Sequence, residues 1–355
     1  MADKTVLITC VGGYYAYDTV RALRMDEELQ LRVVGVDATP DVVNRHFVDA
    51  FHPVPMASED PPGFVEAMLD ICRRESVDVL IPGADEEALA LAPVKDRFLE
   101  EGTTCAVQDA GTLELMGDKF GLFEDLSQRG IPLPEYDSVS TASDLAQAAE
   151  RLGYPERKVI LKPRVGRGAR GLVLVDAGES EYSHSSEARG YDVGSVDIVA
   201  EQLAGRGNDL GMMAMEYLPG DIFDVDCVAD AGDTICMVPR RRLADTPWSR
   251  GVEGHRIERH QEMERITGEI AKALSLSFAF DCDFGTTASG EPGLLEVNPR
   301  WSGSVAAGLA AGVNVPVILV RTILGLPLPE IDVRPGARVV PVTRMGFPDA
   351  NNGEE

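Results

Sequence analysis

Lysine is scarce in this sequence. Lys4, Lys95, Lys119, Lys158, Lys162 and Lys272 are six of its 33 basic residues, and the rest are arginine. Set against 59 acidic residues, they leave a formal charge of -26. A nucleic-acid binder needs a basic footprint to displace counterions, so no nucleic-acid partner is expected. Long apolar runs are missing too. None approaches the roughly 18 to 20 residues needed to cross a bilayer, and the start, MADKTVLITCVGG, fits a first strand better than a secretory segment. The expectation is a soluble, cytoplasmic protein with no membrane partner. The six cysteines, Cys10, Cys72, Cys105, Cys227, Cys236 and Cys282, lack the paired spacing of a zinc site or disulfide scaffold. No histidine falls in an HExxH pattern. An acidic, lysine-poor surface suits a salt-rich cytoplasm, where ions screen self-repulsion. Arginine-favouring codon usage is the alternative explanation.

What the chain does have is length and apolar content. At 355 residues and 44% hydrophobic, it is long enough for two or three domains. The first hundred residues alternate strand and helix signals, as a parallel sheet requires. Strands are expected at Thr5 to Thr9, Leu31 to Val36 and Val77 to Ile81, with helices at Asp18 to Met25 and Asp85 to Phe98. The Gly12-Gly13 turn followed by Asp37 imitates a dinucleotide fingerprint but lacks the three-glycine pattern, so a scaffold domain without cofactor is preferred. Leu113 to Gly130 reads as a helix, and the extended connector at Ile131 to Pro134 follows a domain cut near residues 110 to 118. Further on, a helix is expected at Ala142 to Leu152 and strands at Val159 to Lys162, Leu172 to Val175, Met212 to Tyr217, Phe223 to Ala229 and Thr234 to Val238. A helix at Gln261 to Leu274 precedes strands at Phe278 to Thr286 and Gly293 to Glu296. The polar stretch from Asp176 to Gly211 reads as an insertion with one helix near Val196 to Leu203.

Three constellations carry chemistry. VILKPRVGRGARG, residues 159–171, contains Gly166, Gly168 and Gly171, but a β-run follows where a dinucleotide fold needs a helix. A strand, glycine loop, strand arrangement is a hairpin flap that can lay backbone N–H groups over phosphates, with Arg164, Arg167 and Arg170 adding charge. Lys162 can reach an α- or β-phosphate as a point charge. In the second, Met215 to Gly220, Glu216, Tyr217 and Leu218 can offer polar groups to an adenine and its ribose before the Pro-Gly turn, although a plain turn with a solvated glutamate fits as well. The third pairs Asp281-Cys282-Asp283 with LEVNPR at 295–300. Residues i and i+2 share a strand face, so Glu296 and Asn298 project together and Asp283 can join them as hard oxygen ligands for magnesium. Arg300, two residues on, can hold a transferring phosphate. Arg240, Arg241, Arg242 and Arg250 form a basic cluster that either receives a substrate carboxylate or is an ordinary solvated strand. His255 either orients the nucleophile or, the preferred reading, is a surface residue.

In this order the segments resemble the ATP-grasp superfamily, most closely its carbamoyl-phosphate-synthase-like and amino-acid-ligase-like branch. The resemblance spans VDVLIPGADEEAL, the Asp118-Lys119 helix, the Lys162 strand with its flap, EYLPG and LEVNPRWSGS. It implies an α/β fold: a Rossmann-like pre-ATP-grasp domain over residues 1–115, then an ATP-grasp domain over 116–326 whose two α+β subdomains clamp ATP. The lid subdomain would cover about 131–218, and residues 327–355 would be a C-terminal extension. It further implies that Lys119 and Lys162 contact ATP phosphates, that Glu216, Tyr217 and Leu218 form the adenine hinge, and that Asp283, Glu296 and Asn298 hold magnesium or manganese. Arg300 and Lys162 would be catalytic, with Arg242, Arg250, Ser302 and Gly303 on the substrate side. One position departs from the pattern: the acid usual two residues after Pro-Gly is Ile222, and Asp221, Asp224 or Asp226 must take its place at the ribose, with Asp224 preferred. The activity implied is ATP-dependent joining of a small carboxylate to an amine or thiol through an acyl phosphate. A catalytically silent nucleotide-binding protein is the alternative. No second synthetase half or amidotransferase is present, so full carbamoyl phosphate synthesis is not expected. A homodimer is left open.

Overall fold

The computed structural model describes residues 4–14, 16–26, 28–166, 170–185, 190–205, 210–243 and 254–342. Arg167 and Gly168, expected over the phosphates, and Arg250, expected on the substrate side, lie outside them.

Five parallel strands make the first sheet: β1 (Lys4–Ile8), β2 (Leu31–Asp37), β3 (Ala50–Pro53), β4 (Val79–Ile81) and β5 (Thr104–Cys105), in the order β3-β2-β1-β4-β5. Both faces are covered, so β1 and β2 are almost continuously buried, as parallel strands under helices must be. Helix Pro61–Glu75 covers one face through Phe64, Val65, Met68, Leu69 and Cys72. Asp60 caps it, accepting from the Gly63 N–H at 3.0 Å, and proline stands in its first turn, where a missing N–H costs nothing. Neither this helix nor β3 is among the elements expected from the sequence. The expected single helix from Asp85 is broken: Asp85–Leu91 is α-helical, Pro93 enters a 3-10 turn at Ala92–Val94, and Lys95–Glu100 resumes. Proline supplies no N–H to an α ladder, which accounts for the break.

The next expected helix is also two, Ala110–Gly117 and Lys119–Gln128, divided at Asp118. Asp118 is extended, with φ -102° and ψ 97°, and its side chain caps the second helix. The division points Lys119 out of the first turn and into the interior. A second sheet follows in the order β6-β10-β7-β8-β9, comprising β6 (Tyr136–Val139), β7 (Val159–Pro163), β8 (Val173–Val175), β9 (Asp192–Gly194) and β10 (Met212–Glu216). β7 and β8 pair antiparallel, with Val159 opposite Val175, so the glycine segment does join a hairpin. At its end Gly171 has φ +74°, and a Cβ there would meet Pro163 at 2.9 Å. Helices Ala142–Arg151 and Val196–Ala204 cover the outer face.

The third sheet runs β15-β14-β11-β12-β13-β16, formed by β11 (Ile222–Asp230), β12 (Asp233–Leu243), β13 (Gly254–Ile257), β14 (Phe278–Thr286), β15 (Pro292–Asn298) and β16 (Arg338–Val339). On one face Phe223, Val225, Cys227, Phe280, Cys282 and Phe284 pack with helix Gln261–Ala273 and the inner face of the second sheet. The opposite face is apolar at one end, where Val228, Val238 and Ile257 join helix Val315–Ile323 and the first sheet in one core. Its other end is charged. Arg321 ties the helix to Asp26 and Glu28, at 2.5 and 3.0 Å. Among the described residues no single helix is long and apolar enough to cross a membrane.

Candidate active site

Strand register assembles the charged face. Asp224 lies opposite Asp283 and Asp226 opposite Asp281 across β11 and β14. On the other side of β11, Asp224 faces Arg240, and Arg242 pairs with His255 on β13. Asp283 faces Glu296, and Asp281 faces Asn298, across β14 and β15. Alternate residues of a strand share a face, so four strands deliver carboxylates, guanidinium groups and an amide to one surface.

Between Asp283 and Phe284 the register to β15 slips, Asp283 facing Glu296 while Phe284 faces Leu294. Leu295 is the extra residue of a bulge, and both Leu294 and Leu295 pack into the same apolar cluster. The Leu295 carbonyl accepts a hydrogen bond from Lys162 Nζ at 2.8 Å. Lys162 comes from β7 on the face it shares with Ile160, where the second sheet meets the third, and lies 5.4 Å from the Phe123 ring centroid. Burial pushes its ammonium down to about 8, opposed by Glu296 and Asp283 and assisted by Lys119.

Lys119 Nζ is 3.1 Å from Glu296 Oε1 and also donates to the Gly166 carbonyl, tying the glycine hairpin to the third sheet. Arg164 holds Asp118 through Nε at 2.9 Å and a second contact from Nη2, while its carbonyl accepts the Lys119 N–H at 2.9 Å. Asp85, Met116, Lys119, Gly166, Glu296 and Asn298 line one cleft. Arg300 reaches out of the third sheet to Asp85 Oδ1, 3.1 Å away at the start of a helix on the first sheet. Glu216 ends β10 and accepts the Glu135 N–H at 3.3 Å, Tyr217 is half-buried, and Leu218 is buried against Gly285 and Gly293.

Two readings of individual residues change. The arginine run is no solvated strand: Arg240 has no exposed surface and pairs with Asp226, also donating to Ser302 Oγ at 2.5 Å. Ser302 N–H donates to Asp226 Oδ1 at 2.8 Å, which fixes the loop after Asn298, whereas Gly303 is exposed. Arg242 binds Asp224 through Nε at 2.9 and 3.0 Å and reaches Asp283 Oδ1 at 3.0 Å. Nor is His255 a surface residue, being only 6% exposed. Burial, with Arg240 and Arg242 nearby, pushes its imidazole down to about 4. The arginines and their acids stand 14 to 41 residues apart in sequence, and register alone brings them together. The signal available was the alternation of Asp224 and Asp226 with that of Arg240 and Arg242 on adjacent strands.

Asp224, expected near a ribose, has its carboxylate turned into a trio with Asp281 and Asp283, one oxygen from each lying within 4.8 Å of the others. Burial works against its charge, yet Arg242 and Arg240 hold it well below the ordinary carboxylate range. Burial and neighbouring carboxylates push Asp281 and Asp283 upward. Asp281 Oδ1 has no hydrogen-bond partner among the described residues. A buried carboxylate oxygen without a donor suits a hard cation, and Glu296 and Asn298 on the next strand extend the same oxygen-rich set, so these residues fit magnesium.

Two family profiles match parts of the chain: "PylC-like, N-terminal domain" over residues 6–106 and "ATP-grasp in the biosynthetic pathway with Ter operon" over residues 209–345. The large chain of carbamoyl phosphate synthase from Halobacterium salinarum is 24% identical over 97% of this chain, and that from Thermotoga neapolitana 22% over 92%. The chain spans 33% and 29% of their lengths. Among solved structures, N5-carboxyaminoimidazole synthetase from Staphylococcus aureus superposes with a TM-score of 0.66 at 17% identity, covering 93% of this chain and 81% of that one. L-amino acid ligase from Bacillus licheniformis does so with 0.66 at 16% identity, covering 91% and 75%. The chain therefore joins a PylC-like N-terminal domain to an ATP-grasp domain.

Proposed function

We propose that this chain is an ATP- and magnesium-dependent ligase that activates a small carboxylate as an acyl phosphate and passes it to an amine or thiol. The observation that carries this reading is convergence on Glu296: Lys119 pairs with it, Asp283 faces it across the strands, Lys162 bonds the carbonyl of the residue before it, and Lys119, Gly166, Glu296 and Asn298 line one cleft. The working units are residues 1–115, then 116–326 with a lid near 131–218, then 327–355. ATP lies between the hairpin and the third sheet, its adenine against Glu216, Tyr217 and Leu218 and its phosphates toward Lys119 and Lys162. Backbone groups around Gly166, Gly168 and Gly171 close over the phosphates and exclude water from the acyl phosphate. Asp283, Glu296 and Asn298 would hold magnesium, which when bound would neutralise phosphate charge. The substrate carboxylate attacks the γ-phosphorus in line and ADP leaves as the bridging P–O bond breaks, Lys162 and Arg300 stabilising the charge that develops there; the amine or thiol then attacks the acyl carbon and inorganic phosphate leaves. Arg242, Ser302 and Gly303 border the carboxylate, and Arg250, outside the described residues, is assigned to it from the sequence alone.

The test is ADP release with magnesium and ATP over amino acids, dipeptides and other small carboxylates. A carboxylate-dependent signal is expected, and Lys162→Ala and Glu296→Ala should each lower it by at least about a hundredfold. Near-normal rates in both variants would sink the assignment. The alternative, a silent nucleotide-binding protein, draws on the ion pairs that already hold Glu296 and Arg300. It predicts ATP binding without ADP release for every carboxylate and nucleophile supplied.

A further inference from the structure

We infer that Asp224, Asp281 and Asp283 form a second cation site, on the charged face of the third sheet, which takes a hard divalent ion of the magnesium or manganese class without nucleotide. It shares Asp283 with the set proposed above and otherwise does not rest on that reading. One oxygen from each carboxylate lies within 4.8 Å of the other two. A divalent ion at about 2.0 to 2.6 Å from oxygen ligands spans such a group.

The partners of each side chain show what remains unsatisfied. Asp226 is taken by Arg240 and Ser302. Asp224 is taken by Arg242, which also reaches Asp283 Oδ1 at 3.0 Å. Glu296 has Lys119, and Arg300 has Asp85. Lys162, the remaining nearby cation, is turned to the Leu295 carbonyl on the lid side. On this face four carboxylates thus meet two guanidinium groups, an excess of negative charge that a divalent ion matches.

Asp281 shows where that excess is felt. It is 2% exposed; Oδ2 faces only Asn298 Nδ2, at 3.4 Å, and Oδ1 has no hydrogen-bond partner among the described residues. A second observation points the same way from another strand. His255 is 6% exposed, and its Nδ1, likewise without a hydrogen-bond partner among the described residues, lies 3.6 Å from Asp224 Oδ2. A neutral imidazole nitrogen and a bare carboxylate oxygen are both ready to serve a cation, and burying either without a partner is costly. A proton on Asp281 is the competing occupant.

Nucleotide-free Mn2+ binding, followed by equilibrium dialysis and by the Mn2+ paramagnetic resonance signal, decides between them. The intact chain should retain one Mn2+ without ATP. Asp281→Asn should weaken that binding by at least about tenfold, while Glu296→Gln, which spares all three carboxylates, should retain it. No retained Mn2+ in the intact chain overturns the proposal, as does unchanged affinity in Asp281→Asn or loss in Glu296→Gln. The last comparison decides even if Asp281→Asn fails to fold. Failure of the ligase reading looks different: Mn2+ is held, yet no carboxylate releases ADP.

Discussion

His255 stands between Arg242 on one neighbouring strand and Val339 on the other. Its ring is neutral at ordinary pH because burial and the guanidinium groups of Arg240 and Arg242 outweigh the pull of Asp224. The unfolded chain binds its proton near 6.5, the folded chain only near 4. Between those values the unfolded state holds more protons, so this residue makes stability fall as pH drops from 6.5 to 4, by on the order of 3 kcal/mol in total. Asp281 and Asp283 act in the opposite sense, since their folded-state affinity for protons is raised. Comparing His255→Gln with the unaltered chain isolates the histidine. Denaturant midpoints measured from pH 7 to 4 should fall less steeply in the variant, and parallel curves would show that the imidazole does not titrate as stated. Arg240 illustrates how such a residue escapes notice. In the sequence it is one of three consecutive arginines, and only the partner strand reveals that it is the fully buried member, held by Asp226.

At the scale of elements, the turn joining β10 to β11 is built around Gly220. Its N–H donates to the Thr286 carbonyl at 2.8 Å, and a Cβ there would lie 2.2 Å from Thr286 Oγ1 and 2.8 Å from the carbonyl oxygens of Thr286 and Thr287. Backbone atoms cannot rotate aside as a side chain can, so Gly220→Ala should cost about 1 to 3 kcal/mol in urea unfolding. Adding Thr286→Ala should not restore it; full recovery would mean that the hydroxyl alone was the obstacle. The long strands were legible from their residues. Phe278 to Thr286 was bounded as found, and the glycine hairpin was distinguished from a dinucleotide turn by the β-run after it. What escaped was non-local. β13 and β16 are four and two residues long and exist by pairing with distant partners. The Leu295 bulge depends on a slip against β14, which no period in LLEVN announces. Helix Pro61–Glu75 is a different case, since Asp60, the prolines and apolar residues at helical spacing all signalled it.

For the molecule as a whole, 59 acidic residues face 33 basic ones. Self-repulsion at low ionic strength works against the compact state, and ions screen it over a distance that shrinks from about 10 Å at 0.1 M to 3 Å at 1 M salt. The melting temperature should therefore climb as KCl is raised from 0.1 to about 1 M, and a flat response would remove the argument for a salt-rich setting. The three sheets are joined more by apolar contact than by charge, since residues from the first sheet, the third sheet and helix Val315–Ile323 share one core. Arg300 is an exception, for its anionic neighbour Asp85 opens a helix on the first sheet. Any ligand that claims this guanidinium must displace a tether to the N-terminal domain, and any shift of that domain leaves the guanidinium in need of a new anion. Occupancy of the cleft and the seating of the N-terminal domain that supplies Asp85 to its wall are, through that contact, mechanically linked.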